Sequence, residues 1–475
     1  MKLSADKTKS ALALTATFCA TRIVAYGCGF RFDDSALGVF MQYLDPQLLR
    51  DRLWESLWYL HIQPPLFNAY IGVVLKLAGV HAAILFHAAN LIAGFAVYVS
   101  VYRLQRRLGV NPGLAYGVSS LFAVSPSFLL YEHMLLYELP CAACVVISAV
   151  CLNAASRNRT RGAYAGFFAC LFLLGGIRTV FHIVYVAIVS AWVIIVSRHR
   201  RRAAVCATVA LLALSSFYVK NRFEFGQFTV CTWTGKHLWI KTAGNLPWAE
   251  REHLVAEGVL SPVSLRNRFT AVSNYPPEYR HPGPYASVPC LSEEAKSSGQ
   301  LNYNQFAQIA ISQAYGRDAW AAFAYRPSAY VLTCTQAFVN YFKSPSHYGY
   351  ESPNVAVLKP WLDAWDRILY WKCIVPESGR ALLGRTVYPG LFGGLVLLVV
   401  IGATIAIKAE PADRQLLAYM LFTIAYVAFM GIALEILEVH RFRFMTEPFY
   451  TVIAGLAMQR LTNLLRKKQV RLVRC

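Results

Sequence analysis

Stretches of about twenty consecutive apolar residues recur along this chain of 475 residues. They include 203–219, 391–407 and 416–434, and a helix of that length crosses roughly 30 Å of hydrocarbon. A soluble protein keeps one face of each helix polar and does not repeat such runs. Hydrophobic residues make up 56% of the chain and charged ones only 15%, where a soluble domain carries roughly a quarter charged residues. The fold class that follows is an all-α, polytopic, integral membrane protein. The net charge of +21 does not point to nucleic acid, because the basic residues sit in short clusters between apolar runs rather than on one face. Clusters placed in this way report orientation, since cytoplasmic loops are enriched in Lys and Arg.

The clusters fix a topology. Lys2, Lys7 and Lys9 hold the start of a first span, 11–29, inside. The stretch 31–63 carries Asp33, Asp34, Asp45, Asp51 and Glu55 and is too charged for lipid, so it is an outer loop. The apolar segment 64–79 is short, and is assigned as an interfacial helix; if it crossed, Arg103, Arg106 and Arg107 and every later cluster would be inverted. Further spans are expected at 81–102, 112–131, 139–155, 163–178, 181–197, 203–219, 387–408, 415–435 and 446–464, about ten in all. Three parts result: a transmembrane module 1–219 with its first outer loop at 30–80, a large outer subdomain 220–386 between spans seven and eight, and C-terminal spans with a basic cytoplasmic tail, 387–475. Within 220–386, the stretch 301–324 is the expected main helix. Cys231, Cys290, Cys334 and Cys373 fall there, with pairing unreadable from sequence.

Several residue groups at the outer ends of these spans suit chemistry. Asp33 and Asp34 sit at the edge of the low-dielectric region yet within reach of water, a position that suits a general base. His61 and Gln63 precede the Pro64-Pro65 pair that starts the interfacial helix. Glu132, His133 and Glu138 gather at the next outer turn, where carboxylate and imidazole are compatible with a divalent cation, although their spacing matches no metal motif and the cofactor stays open. Arg178 and His182 emerge at the following outer turn. The string Glu438-Val-His440-Arg-Phe-Arg, with Glu435 just before it, places Arg441 and Arg443 outside, against the usual bias. Guanidinium forks bind phosphate, so the pair is a candidate seat for a lipid phosphate; an internal ion pair with Glu438 or Glu447 is the alternative.

The order of these motifs resembles the GT-C superfamily of membrane glycosyltransferases, in the branch of protein O-mannosyltransferases and lipid A aminoarabinose transferases. The resemblance rests on Asp33-Asp34 after the first span, His61-Ile-Gln-Pro-Pro-Leu-Phe in the first outer loop and Glu138 at the start of a later span. It rests also on the strings beginning Lys220-Asn-Arg-Phe-Glu-Phe-Gly and Glu438-Val-His-Arg-Phe-Arg. It implies transfer of a hexosyl or pentosyl group from a polyprenyl-phosphate donor to a lipid, glycan or protein acceptor on the outer face, in a bacterial inner membrane with the site toward the periplasm. By the same resemblance Asp33 or Asp34 is the base, and Arg441 and Arg443, with Lys220 and Arg222 as weaker candidates, bind the carrier phosphate. Two departures are the smaller number of spans and the position of the large outer region. The competing functions are a transporter or flippase for lipid-linked sugars, and a ligase or polymerase using a polyprenyl-diphosphate donor.

Overall fold

In the computed structural model, which describes residues 2–157, 162–281, 283–347 and 352–472, the chain is almost wholly helical. Among the described residues a single two-stranded antiparallel ladder pairs Cys373–Ile374 with Thr386–Val387. Arg159 and Arg161 of one basic cluster, and the end of the basic tail, lie outside the described residues.

Among the described residues five helical segments are long and apolar enough to cross a bilayer: Leu66–Arg107, Glu138–Ser156, Arg200–Phe225, Pro389–Ile407 and Pro411–Leu434. A sixth is reached if Pro112–Ala123 and Pro126–Glu132 count as one broken span. The chain is thus an integral membrane protein, though with fewer such helices than the ten expected. Ala163–Ile177 and Ile183–Val196 are apolar but, at 15 and 14 residues, short, reaching roughly 21–23 Å at 1.5 Å per residue. Helices Lys2–Gly27 and Glu447–Leu472 cover the first and last expected runs without being among the five.

The span expected over 112–131 is broken, with a 60° bend. Pro126 has no N–H to give to the preceding turn, and Ser125 caps the new helix by accepting from the Phe128 N–H at 3.4 Å. Similar punctuation recurs. Asn111 and Asp45 cap their helices ahead of Pro112 and Pro46, and Gly226, at φ +69°, ends Arg200–Phe225 in the left-handed conformation. The loop after the first helix folds into short helices Ala36–Val39, Pro46–Asp51 and Leu53–Trp58, of which the last two pack beside Leu66–Ala78.

The region 220–386 carries an apolar core of its own, built from Trp239, Leu254, Val263, Tyr275, Ile311 and Tyr315 among others. Its centre is the packing of Thr234–Lys241 on Ala307–Tyr325. The approach is so close that a Cβ on Gly235 would collide with the Ser312 carbonyl oxygen. The main helix begins at Ala307, six residues after the expected start, because Asn302 and Asn304 spend their side chains on loop backbone at Cys290, Glu293 and Tyr59. The four cysteines of the region are free thiols.

Candidate functional site

Three charged side chains from distant parts of the chain meet beside the loop that follows the first helix. Glu138, the first residue of Glu138–Ser156, is fully buried. Its Oε1 lies 3.2 Å from Nε of Arg441 and 3.8 Å from Nη2 of Arg178. Both arginines are also buried, at 2% and 4% exposure. Arg441 pairs in addition with Glu438 at 2.7 Å, a residue that keeps a third of its side chain in solvent. Arg178 donates to the Tyr137 hydroxyl and, at 3.1 Å, to Oε1 of Gln42. Its guanidinium lies over the Tyr137 ring at 4.1 Å and the Phe442 ring at 4.7 Å, stacking that suits the planar, weakly hydrated fork.

Gln42 joins this group to the loop that follows the first helix. Its Oε1 accepts from Tyr137 and Arg178, and its backbone carbonyl accepts from Gln63 at 2.6 Å and Asn68 at 3.3 Å. Both Glu138 oxygens, and Nε and Nη2 of Arg178, lack a hydrogen bond of good geometry although buried. Arg178 is held by charge and stacking, with donor capacity left over at Nε and Nη2. Tyr137 is pushed well above the usual phenol range, chiefly by burial, so it stays protonated and donates.

Asp33 reaches the same wall by another route. Its N–H donates to the His133 carbonyl at 2.8 Å and its carbonyl accepts from the Leu135 N–H at 3.0 Å. The loop after the first helix is therefore laid parallel to the segment that runs into Glu138. Tyr43 tightens the join by donating to the Leu135 carbonyl at 3.0 Å. One Asp33 oxygen accepts from the Ser35 N–H at 3.0 Å, while Oδ2 is buried with no hydrogen-bond partner. Asp34 is partly exposed, and its carbonyl starts the turn to Leu37.

Other nominated residues are engaged elsewhere. Glu132 is fully buried and takes both its bonds from Arg22, at 2.7 and 2.8 Å. His133 bonds the Leu129 carbonyl at 2.9 Å and packs against Phe30 and His87. With Glu138 facing two arginines, the trio Glu132, His133 and Glu138 does not converge as a cation site, and among the described residues no group of three or more His, Cys, Asp or Glu is placed to hold a metal ion. His61 is a fully buried tie between the loop that follows the first helix and the 220–386 region. Its ring contacts Thr232 Oγ1 and the Asn304 carbonyl, each at 2.8 Å, and burial pushes it down to about 3.

Lys220 donates at 2.7 Å to the carbonyls of both Trp58 and Leu60. Arg222 is exposed and caps its own helix at the Gly226 carbonyl. Arg443 is fully buried, with its three nitrogens directed to the Tyr341 and Lys343 carbonyls and to Glu447 at 3.3 Å. It is a bracket for the loop, in contrast to Arg441 two residues before it. His440 is buried beside Arg441 on the short helix Val439–Phe444, and His182 is partly exposed, accepting from the Val184 N–H at 3.3 Å. Glu435 is held at about 2: burial alone would raise it, but His237 at 3.6 Å, the Ile436 N–H and Arg268 outweigh that.

Sequence reasoning missed Gln42, Tyr137 and Arg22. A lone Arg inside an apolar run demands a buried partner, which is the signal that leads from Arg22 to Glu132. Nothing local distinguishes Gln42.

Fold and site together define an almost wholly helical integral membrane protein with a buried charged cluster where the loop after the first helix meets the helix bundle. No protein-family profile matches the chain, and no curated protein matches it. Among solved structures it is similar to ArnT from Cupriavidus metallidurans. The apo form is 13% identical, covering 94% of this chain and 77% of that one, with a TM-score of 0.31. The form bound to undecaprenyl phosphate is 12% identical, covering 92% and 76%, with a TM-score of 0.34. Likeness at this level carries no argument about this chain.

Proposed function

We propose that the protein is a GT-C-type glycosyltransferase that moves a sugar from a polyprenyl-phosphate carrier to an acceptor hydroxyl on the side of the first outer loop. The observation that carries this reading is the pair of buried guanidiniums, Arg178 and Arg441, set on one shared carboxylate, Glu138, with Nε and Nη2 of Arg178 left without a well-formed hydrogen bond. Donors left over in a low-dielectric site are what a phosphate monoester needs, since they stabilise charge without reorganising. Asp33, on the same wall with a buried and unclaimed oxygen, is the base.

In the reaction the acceptor oxygen gives its proton to Asp33 as it attacks the anomeric carbon. The bond from that carbon to the phosphate oxygen breaks, and the polyprenyl phosphate leaves with both electrons of the bond. Arg178 and Arg441 take up the charge that grows on it. Glu138 keeps the two guanidiniums aligned, and the Tyr137–Gln42 chain locks Arg178 to the loop that carries Gln63. Arg443, Lys220 and His61 hold the loops that frame the site and do not touch the donor. The inner-membrane location, the periplasmic orientation and the choice of hexosyl or pentosyl donor follow from the charge clusters and the motif resemblance alone.

The test is release of polyprenyl phosphate from a sugar-labelled polyprenyl-phosphate donor by the purified protein in nanodiscs. Asp33→Asn is expected to slow release by about a hundredfold or more, the usual range for loss of a general base, and Asp34→Asn by far less. Full turnover in Asp33→Asn, with the protein folded, overturns the assignment.

A further inference from the structure

The helix Pro327–Tyr341 lies in the region expected to be a polar outer subdomain, yet its 15 residues include no charge. One face is buried through Ala329, Thr333, Ala337 and Tyr341 and packs on Pro411–Leu434 and on Val439–Phe444. The opposite face leaves Val331, Leu332 and Phe338 exposed at 62%, 46% and 44%. A helix facing water on that side would carry polar residues there.

What covers this face follows from its neighbours. Phe338 and Phe342 stack edge-on to Phe392 with centroids 6.2 and 4.8 Å apart. Phe392 lies in the first turn of Pro389–Ile407, one of the apolar spans, whose Val396, Leu397 and Val400 are exposed as lipid-facing residues are. At its other end Tyr330 donates to the Ala433 carbonyl at 3.2 Å, at the end of the span Pro411–Leu434. The helix is therefore a crossbar over the ends of two spans, continuous with their lipid-facing surfaces. The preceding helix adds exposed Trp320, Phe323 and Tyr325, and Phe323 meets Tyr330 at 5.7 Å. Trp and Tyr collect at the boundary between lipid and water. A groove of about 330 Å³ lined by Tyr330, Val331, Cys334, Thr335 and Phe338 opens on the same face.

We infer that this crossbar is seated in the leaflet on the side of the 220–386 region and that its groove holds an acyl chain of a membrane phospholipid. Its buried face in turn carries the loop that bears Arg441. Asn340 donates to the Ile436 carbonyl at 2.7 Å, the Tyr341 carbonyl accepts from Arg443, and Lys241 bridges the carbonyls of Thr333 and Glu435 at 3.3 and 3.0 Å. Seating the crossbar in lipid sets the depth of that arginine in the membrane. The inference goes beyond the transferase reading and does not depend on it.

The experiment uses the wild-type protein in phosphatidylcholine nanodiscs doped with phosphatidylcholine carrying a diazirine in mid-chain, with adducts mapped by mass spectrometry. Hydroxyl-radical labelling from the water side runs in parallel. Val331, Leu332 and Phe338 are expected to take lipid adducts as densely as Val396 and Leu397, and several-fold more than Trp248 and Val259, which are exposed elsewhere in the region. Water-side labelling is expected to show the reverse order. Equal water-side labelling of Val331 and Trp248 overturns the inference, and so does absence of both labels, which marks cover by a second copy or another protein. Thr335→Trp, at an exposed position, should fill the groove and cut adducts at Tyr330 several-fold while those at Val396 persist; undiminished adducts at Tyr330 overturn the acyl-chain site.

Discussion

Glu132 and Glu138 are six positions apart, both fully buried and both beside arginine, but they are bonded differently. Glu132 receives Arg22 through two well-formed bonds at 2.7 and 2.8 Å, with the guanidinium stacked at 3.9 Å on Phe18. Each guanidinium nitrogen and each carboxylate oxygen in that pair carries a hydrogen bond. Glu138 is shared between two guanidiniums at 3.2 and 3.8 Å, and neither of its oxygens has a hydrogen bond of good geometry. The first arrangement is closed and holds helices together, and the second has capacity left for a ligand. Residue type and burial are the same in both, so only the geometry of the bonds separates structure from function. Arg443 and Arg441 repeat the contrast on one short helix.

The largest effect should come from opening the closed pair. Glu132→Ala strands a buried guanidinium and is expected to cost about 3–5 kcal/mol in unfolding measured in detergent, with much of the loss recovered by Arg22→Met combined with Glu132→Leu. A cost below about 1 kcal/mol, the range of an exposed pair, would break the distinction drawn here.

Lys236 sharpens the comparison from the other side, as a fully buried cation held by a neutral group. Its Nζ donates to Gln308 and faces the rings of Trp233, Phe269 and Tyr303 at 5.8, 5.6 and 5.9 Å. Burial, aided by Arg268, pushes it down to about 7. Between pH 7 and its ordinary value of 10.5 the unfolded chain holds a proton that the folded chain has released. Stability therefore rises with pH across that window, and the penalty is complete below pH 7. Lys236→Met should stabilise the protein by on the order of 1–2 kcal/mol at pH 7 and flatten the pH dependence. Lys241 and Lys296, both lowered to about 8 by burial, leave a smaller slope of the same sign. An unchanged slope would show that Lys236 keeps its proton.

Glu138→Gln, which preserves shape, should cost less stability than Glu132→Ala, because Arg441 keeps Glu438 and Arg178 keeps its bonds to Gln42 and Tyr137, and it should tighten binding of polyprenyl phosphate roughly tenfold, about 1.4 kcal/mol, because it removes the anion that competes for the two arginines. Weaker binding would mean that Glu138 serves only to hold them.

The apolar runs were plain in the sequence because length and hydropathy are local quantities, and a helix occupies each of them. The break in 112–131 was also within reach, in the Ser125-Pro126 pair, but hydropathy averages across it. Ala163–Ile177 and Ile183–Val196 turned out short because Arg178, His182 and Ser197 bound them. Position at the outer turns was enough to nominate Glu138, Arg178 and Arg441. Their meeting was not readable, since it depends on Gln42 and Tyr137 linking three distant segments. The same lack of long-range information put Arg443 beside Arg441 as a phosphate ligand, when its donors are consumed by the Tyr341 and Lys343 carbonyls and Glu447.

The most direct test of the open site is the affinity of polyprenyl phosphate for the protein in nanodiscs, read by native mass spectrometry. Arg178→Ala and Arg441→Ala should each weaken it about tenfold or more, as loss of a charge-assisted fork would. Arg222→Ala, which removes an exposed guanidinium of the same sign, should leave it unchanged. Unaltered affinity in both Arg178→Ala and Arg441→Ala, or an equal loss in Arg222→Ala, would contradict the account.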